Sequence, residues 1–193
     1  MLTHLRPALT LLIAFTLLTG IAYPLAMTEA AQALFPSESR GSLITRDGTV
    51  VGSSLIGQGF AGATYFHPRP SAAGNGYDAS ASSGTNLGPT SAKLAERLKT
   101  DADALRAAGL TGPIPADAVT TSGSGLDPHI SPAYALAQVP RVAAARKVEP
   151  ALVRDLVNAH IEGPQFGVFG DPRVNVLALN LALDASAPAP RPQ

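Results

Sequence analysis

The residue types able to do chemistry in this 193-residue chain are few. Beyond the first residues lie three histidines, His67, His129 and His160, with Asp127 and Asp171 near the second and third. Imidazole and carboxylate together suit a metal site or a general base. No two of these histidines stand at the i,i+3 or i,i+4 spacing that would place both on one helix face, so each reads first as a structural residue. Asp127-Pro128-His129 has the form of an Asx turn before a helix, with the carboxylate of Asp127 accepting from backbone amides. Ser122-Gly123-Ser124-Gly125 lies close to His129 and raises a Ser/His/Asp hydrolase. A nucleophile elbow needs G-x-S-x-G, and position 122 is serine, so the glycines read as backbone shapers. Gly57-Gln58-Gly59-Phe60-Ala61-Gly62 matches the dinucleotide fingerprint, but Ala63 to Pro70 cannot open the helix that must meet a pyrophosphate. No Walker A sequence is present, and Ser54-Leu-Ile-Gly-Gln58 is a partial match to the LSGGQ signature of ABC transporters.

These residues need elements to hold them. Asp47-Gly48 between Ser42–Arg46 and Thr49–Ile56 predicts a β-hairpin, because a type I′ turn needs positive φ at both central positions. Residues 57–90 are rich in Gly, Ser, Pro and Asn and predict a long loop. The run Tyr65-Phe66-His67-Pro68-Arg69-Pro70 predicts that this loop is ordered, since two prolines fix φ and the aromatics can pin it to a core. A helix capped by Thr90 or Ser91 follows, carrying Leu94, Leu98 and Leu105 and ending at Gly109. Residues 111–127 read as loop with a short turn after Pro115. Ser131-Pro132 and Glu149-Pro150 each start a helix. The first runs to Arg146 with a kink at Pro140. The second carries Leu152, Val153, Leu156, Val157 and Ile161 on one face and closes at Gly163. Residues 174–183 alternate leucines like a strand, yet Leu and Ala dominate after Val176, which favours a short helix. Residues 185–193 are Pro/Ala-rich and read as a disordered tail.

Ahead of all this stands an uncharged stretch from Pro7 to Thr28. Twenty helical residues span roughly 30 Å, the thickness of a bilayer core. It is longer than a signal-peptide core, and Ala31-Gln32-Ala33 lies well past it, so it reads as an anchor whose helix continues to Phe35 and stops at Pro36. Arg6 precedes it and Glu29 follows, which by the positive-inside rule puts the remainder outside the cytoplasm. Thr16, Gly20 and Pro24 recur every four residues and offer a face on which another helix can dock closely.

With Arg6 set aside, thirteen basic residues face fourteen acidic ones, so the outer part lacks the basic face that nucleic acid requires. The chain has no cysteine, which removes disulfides, thiolate nucleophiles and cysteine-based metal sites. The fold class expected is α+β: a transmembrane helix with its extension over residues 1–35, a compact loop-rich extracytoplasmic domain over 36–184 with a β-hairpin and several helices, and a tail over 185–193. Taken alone, the residues describe an anchored extracytoplasmic domain, with an anchored hydrolase or a binding protein as the alternatives.

Three blocks carry a resemblance. They are Tyr65–Ala72 with Gly84–Pro89, Val119–Pro132, and Val174–Asp184, in that order behind one N-terminal membrane segment. Together with Ser54–Gln58 and Gln138–Ala143 they closely resemble the C subunit of the bacterial Kdp potassium-transporting ATPase, over residues 5 to 184. Leu126-Asp-Pro-His-Ile-Ser-Pro132 is the most specific part, and Gly59 and Gly62 stand outside the pattern.

The resemblance implies a non-catalytic accessory subunit in a four-part complex of the bacterial cytoplasmic membrane. Its partners would be a potassium-selecting, channel-like A subunit, a P-type ATPase B subunit that hydrolyses ATP, a small F subunit, and membrane lipid. It implies one membrane pass, a cytoplasmic N-terminus and a periplasmic domain. Two roles come with it: a catalytic chaperone that raises the ATP affinity of the ATPase subunit, with Gln58 suggested as a nucleotide contact, or a cap over the outer mouth of the channel subunit. ATP is cytoplasmic and Gln58 is expected outside, so the cap is favoured and any ATP effect is indirect. On this reading Tyr65, Phe66, His67, Arg69, Asn86, Ser124, Asp127 and His129 order loops or meet a partner, Thr16, Gly20 and Pro24 dock the membrane helix, and no residue of this chain is catalytic or a metal ligand.

Overall fold

A computed structural model describes residues 2–188. The chain divides into two units, one ending at Val51 and the other beginning at Gly52.

The first unit is led by a continuous helix from Leu5 to Leu34, long and apolar enough to cross a membrane. Helix α1 (Leu5–Leu17) passes through a π turn (Leu18–Ala22) into α2 (Tyr23–Leu34). Pro24 explains the π turn. It has no N–H to bond the carbonyl one turn back, and its ring crowds that carbonyl, so the helix widens rather than breaks. Thr16, Gly20 and Pro24 flank and occupy this turn, and nothing lies within 4 Å of where a Cβ on Gly20 would sit. The helix ends at Leu34, with Phe35 as its cap ahead of Pro36. Strands β1 (Leu43–Arg46) and β2 (Thr49–Ser53) follow, joined by Asp47 and Gly48 at φ 51° and 77°, the expected I′ turn. Strand β2 ends at Ser53, three residues short of its expected end, where the Ser53 hydroxyl accepts from the Leu55 amide and turns the chain.

The second unit is built on helices α3 (Ala92–Ala107), α4 (Pro132–Arg146), α5 (Pro150–Ala159) and α6 (Val176–Ser186) and a small sheet. Caps fall where the sequence puts them. The hydroxyl of Ser91 accepts from the Leu94 amide and that of Ser131 from the Tyr134 amide, while Gly109 takes φ 90° past the end of α3. Helix α4 runs through Pro140 to Arg146. The core lies where α4, α5 and α6 meet: Tyr134, Val139, Val142, Val153, Val157, Val174, Leu179 and Leu183 are buried there, with Phe66 from the long loop among them.

Several expectations need correction. Ile161 does not extend α5, and Gly163 does not close it. The helix ends at Ala159, and His160 caps it through a 2.8 Å contact from Nδ1 to the Leu156 carbonyl. Ile161–Glu162 then forms β4, antiparallel to β5 (Arg173–Asn175), with Ile161 opposite Val174. Leu152 is likewise exposed rather than part of the buried face. Strand β3 (His129–Ile130) completes the order β3-β5-β4, with His129 opposite Asn175. Residues 174–183 resolve into both readings: β5 ends at Asn175, whose side chain then caps α6 by accepting from the Ala178 amide. That helix runs to Ser186 and Ala187 is buried, so the expected tail is structured through this point; residues 189–193 lie outside the described residues.

Candidate functional site

The long loop is held by buried polar side chains reaching up from the helices. Asn180 of α6, 2% exposed, accepts from the Phe66 amide at 2.8 Å and donates to the Phe66 carbonyl at 3.0 Å. Gln138 of α4 repeats the pattern one residue on, accepting from the His67 amide at 2.7 Å and donating to the His67 carbonyl at 2.9 Å. Two carboxamides thus replace the neighbouring strand that an extended segment would otherwise need to satisfy its backbone. Arg141 donates to the carbonyls of Ala63 and Tyr65 and to the Gln138 side chain. Arg146 donates to the Thr64 and Ala187 carbonyls, pairs with Asp184 at 2.8 Å, and lies 4.9 Å from the Tyr65 ring centre. The Tyr65 hydroxyl donates to Asp184. Burial, then the Arg141 charge, lowers the pKa of His67, and the Gly62 carbonyl facing Nε2 only partly offsets them.

A second cluster ties the 119–132 segment to the same loop. Arg69 pairs with Asp127 at 3.0 Å and donates to the Thr120 hydroxyl and to the carbonyls of Thr120 and Thr121. Asp127 also accepts from the His129 amide at 3.0 Å, the expected Asx turn, and faces His129 Nδ1 at 3.5 Å. Burial alone would raise the Asp127 pKa, but the hydrogen bonds from His129 and the adjacent Arg69 hold it below the usual carboxylate range. Asp117 accepts from the amide and hydroxyl of Ser131, fixing the start of α4. These residues line an open groove of about 590 Å³, with Asp171 and Arg173 on its wall.

Close backbone approach joins the remaining pieces. A Cβ on Gly125, at φ 68°, would lie 2.6 Å from the Ser83 carbonyl oxygen and 2.7 Å from the Ala73 nitrogen, so only glycine fits. The Ser71 hydroxyl donates to the Gly125 carbonyl at 2.6 Å, and the Tyr77 hydroxyl donates to the Arg69 carbonyl. Ser124 belongs to this contact: its carbonyl accepts from the Ser83 amide, and its hydroxyl accepts from the Leu126 amide at 3.1 Å. Among the described residues no hydrogen bond joins Ser124 to His129. Gln58 is half-buried, and its carboxamide lies where a Cβ on Gly52 would sit. Asn86 is exposed and takes φ 52°.

Some of the residues singled out in the sequence fall in these two clusters. Arg69 joins Asp127 and, through it, His129, while Tyr65, Phe66 and His67 are held in the first cluster by Asp184, Arg141, Asn180 and Gln138. The sequence does not point to Gln138, Asn180 and Arg146, which hold the loop. The available signal is a polar residue interrupting a buried helix stripe: Gln138 sits among Tyr134, Ala135, Val139 and Val142, and Asn180 between Leu179 and Leu183. Among the described residues no group of three or more His, Asp or Glu side chains is placed to hold a metal ion.

The molecule so defined is an α+β domain of ordered, internally bolted loops, led by a long apolar helix. The family model described as the c chain of K+-transporting ATPase matches residues 5–185, and this chain belongs to that family. It is 63% identical over 189 residues to a potassium-transporting ATPase KdpC subunit of Caulobacter vibrioides, covering 97% of this chain and 96% of the relative. It is 60% identical to the subunit so named in Caulobacter sp., covering 98% and 97%, and 57% identical to that of Methylobacterium nodulans, covering 97% and 99%.

Proposed function

We propose that this chain is an accessory subunit of an ATP-driven potassium import complex of the bacterial cytoplasmic membrane. It crosses once through Leu5–Leu34, with its N-terminus inside and the unit from Gly52 onward outside. Its partners are a channel-like A subunit, a P-type ATPase B subunit that carries ATP turnover, and a small F subunit. The observation that carries this reading is the family match over residues 5–185. The geometry supports a contact role: the Tyr65–Ser71 and Val119–Pro132 regions spend buried amides and guanidinium groups on shaping backbone rather than on a reactive pair.

The domain acts as a cap, with the ordered loops over 57–90 and 119–132 meeting the outer mouth of the channel-like subunit. On this reading an effect on ATP affinity reaches the ATPase subunit indirectly, because Gln58, packed over Gly52, belongs to the unit that the proposed orientation puts outside. The cysteine-free chain makes the test direct. Single cysteines at positions 58 and 129 are treated with a membrane-impermeant maleimide in intact spheroplasts. Both are expected to label when partner subunits are absent and position 129 to be shielded when they are present. Protection of both in spheroplasts but not in lysates, without partners, would refute the orientation and the cap together.

A further inference from the structure

The turn between β4 and β5 exposes an apolar tip that the cap loops do not use. Phe166, Val168 and Phe169 are 85%, 76% and 66% exposed, more than any other large apolar side chain described from Gly52 onward. The turn is held from within. Gln165 and Phe169 exchange amide–carbonyl hydrogen bonds at 2.8 and 3.0 Å, the Gly167 amide donates to the Pro164 carbonyl, and the Val168 amide donates to the Gln165 carbonyl. Four backbone donors are therefore already satisfied, which lowers the penalty for entering an apolar environment. Phe166 takes φ 55° and is followed by Gly167 at 75°. A bulky L residue is disfavoured in that region, and here it carries a side chain that stays in solvent.

We propose that this tip is a docking plug that seats in an apolar socket on a partner subunit of the complex, with a neutral-to-basic rim. The inference rests on the accessory-subunit reading. Charge separates this occupant from the bilayer. From Gly163 to Pro172 the segment has no lysine or arginine, and its one charge is Asp171, which is exposed. Beside it, Glu162 and Arg173 pair at 3.1 Å and cancel. Segments that lie on anionic lipid carry lysine or arginine beside their apolar residues, and this tip has neither, whereas a protein socket with a basic rim complements Asp171. The turn is also pre-formed, so seating its two phenylalanines orders little further backbone, which favours docking in a pocket.

The test places an environment-sensitive fluorophore on Val168→Cys, unique in a cysteine-free chain. The full chain is studied alone and in the assembled complex, both in phosphatidylcholine/phosphatidylglycerol nanodiscs. In the complex the label is expected to be shielded from iodide at least about fivefold relative to the chain alone, without quenching by doxyl-labelled lipid. Phe166→Ser with Phe169→Ser is expected to reduce retention in the complex about tenfold or more, with the thermal melt of the chain unchanged. Iodide access equal in chain and complex overturns the proposal. So does quenching by doxyl lipid, which would make the tip a lipid contact, or disulfide-linked dimers of Val168→Cys, which would make it a self-contact. If the unlabelled wild-type chain fails to enter any complex, the accessory-subunit reading falls and takes the plug with it, and that failure is visible before any label is read.

Discussion

Replacing Asn180 by leucine tests how the long loop is held. The side chain is 2% exposed and satisfies both backbone groups of Phe66, at 2.8 and 3.0 Å. Leucine fills a similar volume but offers no polar atom, so one buried N–H and one buried C=O lose their partners. Each unsatisfied group costs about 1–3 kcal/mol, and the added apolar contact returns part of it, so a net loss of about 3 kcal/mol is expected. With a urea slope of about 2 kcal/mol/M, the midpoint falls by about 1.5 M. The assay is urea unfolding of the full chain in detergent, followed by far-UV circular dichroism, beside chymotryptic cleavage near Tyr65 and Phe66. If opening is fast relative to cleavage, about 3 kcal/mol raises the cleavage rate roughly a hundredfold. Asn158→Leu, on the exposed face of α5, is the control and should shift neither reading. A midpoint shift below about 0.3 M for Asn180→Leu, with unchanged cleavage, would refute the view that these carboxamides hold the loop.

Other perturbations follow from the same geometry. Arg146→Met removes the buried cation that bonds Asp184 and the Thr64 and Ala187 carbonyls; with Asp184 only part-buried, a cost of about 3 kcal/mol, the lower end for a broken pair, is expected in the same urea titration. Gly125→Ala combines a positive φ with a collision at 2.6 Å and is expected to destabilise by about 2 kcal/mol or more. Asp127 has a native pKa below its unfolded value of about 3.9, so its contribution is present above that pH and lost as the pH falls through the native pKa; Asp127→Asn should flatten the urea midpoint below about pH 4. Gly20→Leu, with open space around its Cβ position, should leave membrane insertion intact and weaken complex recovery from detergent extracts.

Much of this fold is legible because its signals are local. Asp47-Gly48 sets a turn, Ser91 and Ser131 cap helices, and Pro36 stops one, each through groups a few residues apart. Strands β3, β4 and β5 are two or three residues long and exist only because chain positions far apart meet; Ile161 looks like the next residue of a helical stripe until Val174 is opposite it. The loops around Tyr65–Ser71 and Asp127–His129 are legible from proline, aromatic and Asx-turn content. Their supports are not: Gln138 and Asn180 stand among mostly apolar inward residues, and the backbone groups they bond, those of His67 and Phe66, lie 71 and 114 positions away in the chain. The Phe166–Phe169 tip escapes notice for the opposite reason: its apolar residues suggest burial, and only the folded turn shows them in solvent.

That this chain works as a subunit of a potassium-transporting ATPase is tested most directly by ATP turnover. The material is recovered by affinity purification of the full chain from native membranes and assayed across a potassium titration. A P-type ATPase subunit and the channel-like subunit are expected to co-elute, with turnover rising with potassium. Recovery of the intact chain from membranes containing those subunits, with neither partner nor potassium-stimulated turnover in the eluate, would contradict that role.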